Sequence, residues 1–253
     1  MSMTNKSHTL LVYLAASLLA FTGATASAAE AQPPGLLETF ACNYHDGQDM
    51  DDLLSARDYF VRQAERAGIT PRASYVWSRY KGGPDFDYVW LTVHQDLAAF
   101  AARADGDPLP GVGERFRAVA ECQTGIMEIS PVFLGADTDG PNEESFVSAS
   151  ACSPRPGVGP DDIADLNGHI SRVLGGLDTH KSFVLFAGTP MTPGPNTPDM
   201  FYFGVSDSAS AWANGVNAIR SAGGSLGRHF NGTVDCDQSL WFSQQVVAPP
   251  AAD

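Results

Sequence analysis

Polar and apolar positions along this chain change period in a fixed order. Leu37 to Tyr44 is a short apolar-alternating run and predicts a strand. Gly47 turns the chain, and Asp51 and Asp52 then supply carboxylates at a helix start, where they satisfy free amides and favour the dipole. The helix continues through Leu53, Leu54, Phe60 and Val61 to about Ala67, and Gly68 stops it. Ser74 to Tyr80 is rich in β-formers, Lys81-Gly82-Gly83-Pro84-Asp85 is a turn, and Tyr88 to His94 is a second strong strand. Asp96 opens a short helix through Phe100. A Gly/Pro-rich loop leads to Phe116, and a last strand covers about Val119 to Val132. The order is β-α-β-β-α-β.

The pattern then occurs again. Ala41-Cys42, Gly47, Asp51-Asp52 and Leu53 recur as Ala151-Cys152, Gly157, Asp161-Asp162 and Ile163. Gly113, Phe116 and Cys122 recur as Gly227, Phe230 and Cys236. A two-copy repeat constrains the fold far more than any single motif in the chain. The second copy has predicted strands at about Phe146–Cys152, Ser182–Ala187, Met200–Ser206 and Thr233–Gln244, with helices at about Asp161–Leu174 and Ser208–Ala222. Two modules are therefore expected, over residues 36–133 and 146–245. Residues 134–145, polar with Gly, Pro and Asp, form the linker, and 246–253 a disordered tail.

Cysteine usage and the N-terminus set the compartment. Lys6 gives a positive n-region, Leu10 to Phe21 an apolar h-region, and Ala26-Ser27-Ala28 the small residues that a signal peptidase reads. The apolar stretch of about a dozen residues is short of the roughly 20 that span a bilayer. Residues 1–28 are thus expected to be removed, and the protein to be periplasmic or secreted. Four cysteines in an exported chain predict two disulfides, and the repeat favours Cys42–Cys122 with Cys152–Cys236 among three connectivities. The net charge of −14 opposes nucleic acid and anionic lipid surfaces, so neither is an expected partner.

The cysteines also test the topology. In a β-α-β-β-α-β sheet ordered 4-1-3-2, the end of strand 1 meets the start of strand 4. Cys42 and Cys122 occupy those ends in the first copy, and Cys152 and Cys236 in the second. On these residues the chain resembles the ferredoxin-like modules of the dimeric α+β barrel superfamily, as a covalent version of the usual dimer. The resemblance implies an α+β fold with the two modules packed sheet to sheet in one intramolecular barrel. Relatives of this kind include cofactor-free monooxygenases, polyketide cyclases, haem-handling enzymes and proteins of unknown role. No motif in this chain selects one of them.

Candidate chemistry centres on the third strand of each module. Val89, Leu91 and Val93 form one face, and Tyr88, Trp90, Thr92 and His94 the other. The second copy sets Phe201, Phe203 and Val205 against Met200, Tyr202, Gly204 and Ser206. The mixed face suits an apolar pocket with a few polar groups, built mainly in the N-terminal module. Tyr75, Trp77, Tyr88, Trp90 and Tyr202 are its candidate ligand-binding residues. His94 is the residue of that face able to act as a base near neutral pH, and its counterpart is Ser206. An inert, hydrogen-bonded strand-end histidine and ordinary aromatic core packing are the competing readings.

Other patterns carry less. Gly223-Gly224-Ser225-Leu226-Gly227 matches a nucleophile elbow, which needs a strand before its serine, whereas a helix precedes this one. His45, Asp46, Asp49, Asp51 and Asp52 resemble a hard-metal cluster, but Arg155, Pro156 and Gly159 replace three of them in the second copy, so a capped helix entrance is expected and no metal site. Asn231-Gly232-Thr233 is a glycosylation sequon with meaning only in a eukaryotic host. No cofactor is expected, since no histidine belongs to a haem motif. The function expected is binding of a small apolar or aromatic ligand. The alternatives are a cofactor-independent monooxygenase- or cyclase-like enzyme using His94, and an interaction protein with no pocket. A pseudo-dimer in one chain has less need to self-associate, so a monomer is expected.

Overall fold

Eight antiparallel strands pair edge to edge until the last meets the first. In the computed structural model, which describes residues 35–105, 109–135, 143–177, 183–194, 197–221 and 224–248, they form one closed barrel. The strands are β1 (Gly35–Tyr44), β2 (Ser74–Lys81), β3 (Tyr88–His94), β4 (Ala120–Leu134), β5 (Glu144–Pro154), β6 (Val184–Pro190), β7 (Met200–Ser206) and β8 (Val234–Val247). The helices are α1 (Met50–Ala67), α2 (Leu97–Ala104), α3 (Val112–Val119), α4 (Pro160–Gly175), α5 (Ala209–Ser221) and α6 (Ser225–Thr233). Around the barrel the order is β1-β3-β2-β8-β5-β7-β6-β4. The order 4-1-3-2 holds within β1–β4 and again within β5–β8. The expected signal peptide lies outside the described residues, as do most of the expected linker and the last five residues.

The two sets of four strands share both edges as well as an interior. β4 pairs with β1 from Gly35↔Ile129 to Tyr44↔Ala120 and then runs on beside β6 from Met127↔Pro190 to Leu134↔Val184. β8 does the same between β5 and β2. Each closing strand is therefore long, 15 and 14 residues, and leaves no open edge to be solvated or to pair with another chain.

Alternation along each strand sorts side chains between two layers. Leu37, Trp77, Leu91, Met127, Phe203 and Trp241 point into the barrel, where Trp77 meets Phe203 edge-on at 5.5 Å. The opposite faces carry the helices. Tyr88, Trp90 and Val76 pack against Leu53 and Ala56 of α1 and Val119 of α3. In the other half Tyr202 and Met200 pack against Leu166, Ile170 and Leu174 of α4 and Leu226 of α6. The β2–β3 turn folds against the barrel. Gly83 sits at φ +83° with its Cα so close to Ser239 that a Cβ would lie 2.7 Å from that residue's own, so both backbone conformation and space require glycine.

Cys42 and Cys122 are directly opposed across β1 and β4, as are Cys152 and Cys236 across β5 and β8, and both pairs are disulfide-bonded with Cα atoms 4.1 Å apart. Closing segments of 80 and 84 residues, each bridge contributes about 4–5 kcal/mol in the chain-entropy account.

Three sequence expectations need correction. The segments before Phe116 and Phe230, expected as loops, hold α3 and α6. At eight and nine residues, each entered through a glycine with positive φ, they are too short to declare a helical period. The expected tail starts too early, because Val246 and Val247 belong to β8 and are buried in the first half's core. Strands β4 and β5 also reach further into the expected linker, to Leu134 and back to Glu144.

Neighbouring side chains on β8 test the layering. Trp241 is 2% exposed inside the barrel and Phe242 is 50% exposed outside it. Trp241→Ala is expected to cost about 3–5 kcal/mol and Phe242→Ala less than about half of that. Urea denaturation should show both halves unfolding in one transition, and a separate early transition of the C-terminal half would contradict a shared interior.

Candidate functional site

A carboxylate, an imidazole and a guanidinium meet beneath α2. Glu38 lies on β1, on the same face as Phe40 and Cys42, and pairs in register with Thr92; His94 ends β3 opposite Leu36. His94 is 0% exposed, and its Nε2–H donates to Glu38 Oε2 at 3.1 Å. Arg103 of α2 reaches the same oxygen. Asp96 caps the helix that delivers Arg103, accepting from the Ala99 amide at 2.7 Å, and Phe100 lays its ring edge-on against His94 at 5.5 Å. A second chain of hydroxyls runs alongside. Trp90 Nε1–H donates to Thr92 Oγ1 at 3.2 Å, which leaves the Thr92 proton for Ser74 and the Ser74 proton for the Arg72 carbonyl.

Burial pushes the His94 pKa below the usual histidine value, against the pull of Glu38. The neutral ring donates from Nε2, and its buried Nδ1 has no hydrogen-bond partner. This geometry orients an imidazole and leaves a lone pair facing protein.

The C-terminal half differs at the same register positions. Ser148 takes the place of Glu38 and pairs with Gly204, as Glu38 pairs with Thr92. Ser150, opposite Tyr202, stands where Phe40 stands opposite Trp90, and Ser206 ends β7 as His94 ends β3. Three residues after Phe100 comes Arg103, and three after its counterpart Trp212 comes Gly215. At four of these places a small residue stands where the other half has a large or charged one, and Gly204 stands in place of Thr92. A cavity of about 250 Å³ opens there, floored by β5 and β7 and walled by α4, α5 and α6. Trp212, Phe183, Phe230 and Leu174 line it, with Ser148, Ser150, Ser206, Tyr202 and Gln238 as its polar groups. Gly204 lets the Phe183 ring approach the sheet, since a Cβ there would lie 2.9 Å from it and 2.7 Å from Ser148 Oγ. Tyr202 donates its hydroxyl proton to Asn167 Oδ1 at 2.8 Å, and burial pushes its pKa up to about 12.

The five aromatic residues expected to bind ligand do not form one site. The register pairs Val76 with Trp90 and Tyr75 with Leu91, so Tyr75 and Trp77 face the barrel interior while Tyr88 and Trp90 face the helices. Both pairs are packing residues, and Tyr202 alone lines the cavity. In the N-terminal module Glu38, His94 and Arg103 stand at the register positions that are open in the other half, so this cavity lies in the C-terminal module rather than the expected one. Glu38 and Arg103 were not foreseen. The available signal was a carboxylate on a period-two face with Phe40, Cys42 and Tyr44, a position that demands a partner.

The dismissed patterns resolve as local structure. Asp49 caps α1, accepting from the Asp51 amide at 2.9 Å and the Asp52 amide at 3.4 Å, and Asp52 accepts in return from the Asp49 amide. Ser225 opens α6, so a helix both precedes and follows it. Among the described residues no group of three His, Cys, Asp or Glu could hold a metal.

No family model matches the chain, and no curated protein does. Solved structures match it in fold. A proposed monooxygenase of Fusobacterium nucleatum superposes with a TM-score of 0.56 at 12% identity, over 85% of this chain and 94% of the other. A mutant chlorite dismutase of Candidatus Nitrospira defluvii gives 0.52 at 9%, over 84% and 92%. A dye-decolorizing peroxidase of Bacteroides thetaiotaomicron gives 0.51 at 8%, over 83% and 93%. The chain has the dimeric α+β barrel fold of these proteins. The described lining residues include no histidine, cysteine, methionine, lysine or arginine. His169 and His229 face each other at 5.2 Å and lie outside the lining.

The depressed pKa of His94 sets a sign. The unfolded chain binds the proton more readily, so the stability gained by keeping the ring neutral is present above the ordinary histidine pKa and is lost as pH falls through it. Between pH 7.5 and 5, urea midpoints of the wild type should fall further than those of His94→Gln. Equal pH dependence in the two proteins would remove His94 as the buried titrating group.

Proposed function

We propose that this protein is an exported, disulfide-bonded tandem of two β-α-β-β-α-β modules, residues 35–134 and 144–247, that binds a small molecule in its C-terminal module. The observation that carries the reading is the cavity of about 250 Å³ at the place where the other half holds Glu38, His94 and Arg103. Export to the periplasm or the medium is supported by the two disulfides, which persist in oxidising compartments. No described helix is long and apolar enough to cross a membrane. The long closing strand of each module pairs with the edge strand of the other, which supports a monomer.

A catalytic role for His94 has less support. The ring is fully buried, its Nε2–H is engaged by Glu38, and it does not line the cavity. Under the binding reading, His94 and its partners act as the structural counterpart of the cavity.

Native mass spectrometry of protein exported to an oxidising compartment and purified without reductant is expected to show a non-covalent adduct beside the disulfide-bonded mass. Ser150→Phe restores the residue of the other half at the cavity floor and should reduce adduct occupancy by at least about tenfold while leaving thermal stability equal or higher. An adduct retained in full by the variant would place the ligand elsewhere.

A further inference from the structure

No described residue of the cavity lining carries a formal charge. None of its described lining residues is Asp, Glu, Lys, Arg or His, and Tyr202 stays protonated with its pKa pushed up to about 12. Ser148, Ser206 and Gly215 stand where the other half has Glu38, His94 and Arg103, so the charges of Glu38 and Arg103 have no equivalent at these positions. A charged ligand would meet no counter-ion among the described lining residues, which is unfavourable away from water.

One polar group in the lining stands out. Ser206 is 3% exposed, and its Oγ has no hydrogen-bond partner. Buried hydroxyls are almost always satisfied, and Ser206 belongs to the cavity lining, so a turn of its side chain toward the cavity would let a bound molecule supply the missing partner. The other walls are apolar and aromatic. Phe183, Trp212 and Phe230 offer ring faces and edges, which favour a flat aromatic body. Size narrows the class further. The volume of about 250 Å³ exceeds the roughly 150 Å³ that holds benzene and falls below the roughly 300 Å³ at which drug-sized sites begin.

We infer that the cavity takes an uncharged molecule of one or two fused rings whose single hydroxyl or carbonyl group hydrogen-bonds Ser206 Oγ. The inference rests on the reading of the cavity as the ligand site and adds the chemistry of the ligand. It also makes Ser206 the residue that fixes the orientation of the ring.

Calorimetric titration of the disulfide-bonded protein at pH 7.5 with naphthalene, 2-naphthol and 2-naphthoate separates the terms. 2-Naphthol is expected to bind about five- to tenfold more tightly than naphthalene, the worth of one hydrogen bond, and 2-naphthoate at least about 100-fold more weakly than 2-naphthol. Ser206→Ala should bind naphthalene as the wild type does and lose the preference for 2-naphthol. Its thermal stability should be equal or higher, because the hydroxyl it removes has no partner. Tighter binding of 2-naphthoate, or a preference for 2-naphthol that survives in Ser206→Ala, would overturn the inference while leaving the cavity as a ligand site. If none of the three compounds binds but native mass spectrometry shows an adduct sensitive to Ser150→Phe, the ligand class is wrong and the site stands. If no compound binds and no adduct is found, both readings fall.

Discussion

Closure of the sheet is the constraint on which the rest of this structure depends. A four-stranded sheet ordered 4-1-3-2 has exposed edges at β2 and β4 in one half and at β6 and β8 in the other, each with a row of unpaired amides and carbonyls. β4 and β8 meet this demand by being about twice as long as β3 and β7. One stretch of each pairs within its own half, and the rest pairs with the opposite half. The interior then belongs to both halves at once. Trp77 of β2 and Phe203 of β7 touch within it, although 126 positions would suggest separate cores to a reader of either half alone. Neither sheet can keep that face dry without the other, which ties their stabilities together.

Closure also decides where a ligand could enter. The interior is filled by large apolar side chains, so the space left for adaptation lies between the sheet and the helices. The two halves use that space in opposite ways. Under α2, buried His94 and nearly buried Glu38 engage each other, and the half-exposed Arg103 reaches the same carboxylate from the helix, so removing Glu38 would leave the imidazole without its partner. Under α5, serines and glycine occupy the matching positions and the volume stays open.

The parts of the fold that were legible in the sequence are those governed by local rules. Tyr88–His94 and Met200–Ser206 are bounded by turn residues and rich in β-formers, and their ends match the expected ones. Gly68 stops α1 with φ +66°, the left-handed conformation expected of it. The cysteine pairing followed from the repeat together with a single topology. The parts that were not legible depend on register and on what lies across a layer. Whether Tyr75 or Val76 shares a face with Trp90 is a matter of one residue of slip between β2 and β3, and the sequence of either strand is silent on it. The helices α3 and α6 owe their existence to Phe116 and Phe230 docking beside α1 and α4, an interaction across the fold that overrides the glycines at their starts.

The candidate site was half legible for the same reason. His94 was singled out by its chemistry, and its pairing with Ser206 by the repeat, but the meaning of that pairing needed Glu38, Arg103, Ser148 and Gly215 to be brought to the same two places. Each looks ordinary in its own segment. Compared copy against copy, they form a coordinated loss of volume and charge, from Glu, His and Arg to Ser, Ser and Gly. Between the two halves of this barrel, which share a strand order, the positions where one is smaller than the other mark the cavity, and the position that looks reactive does not. A reactive group that is buried must already be engaged by its neighbours, as His94 is by Glu38, whereas a cavity is made by what has been removed.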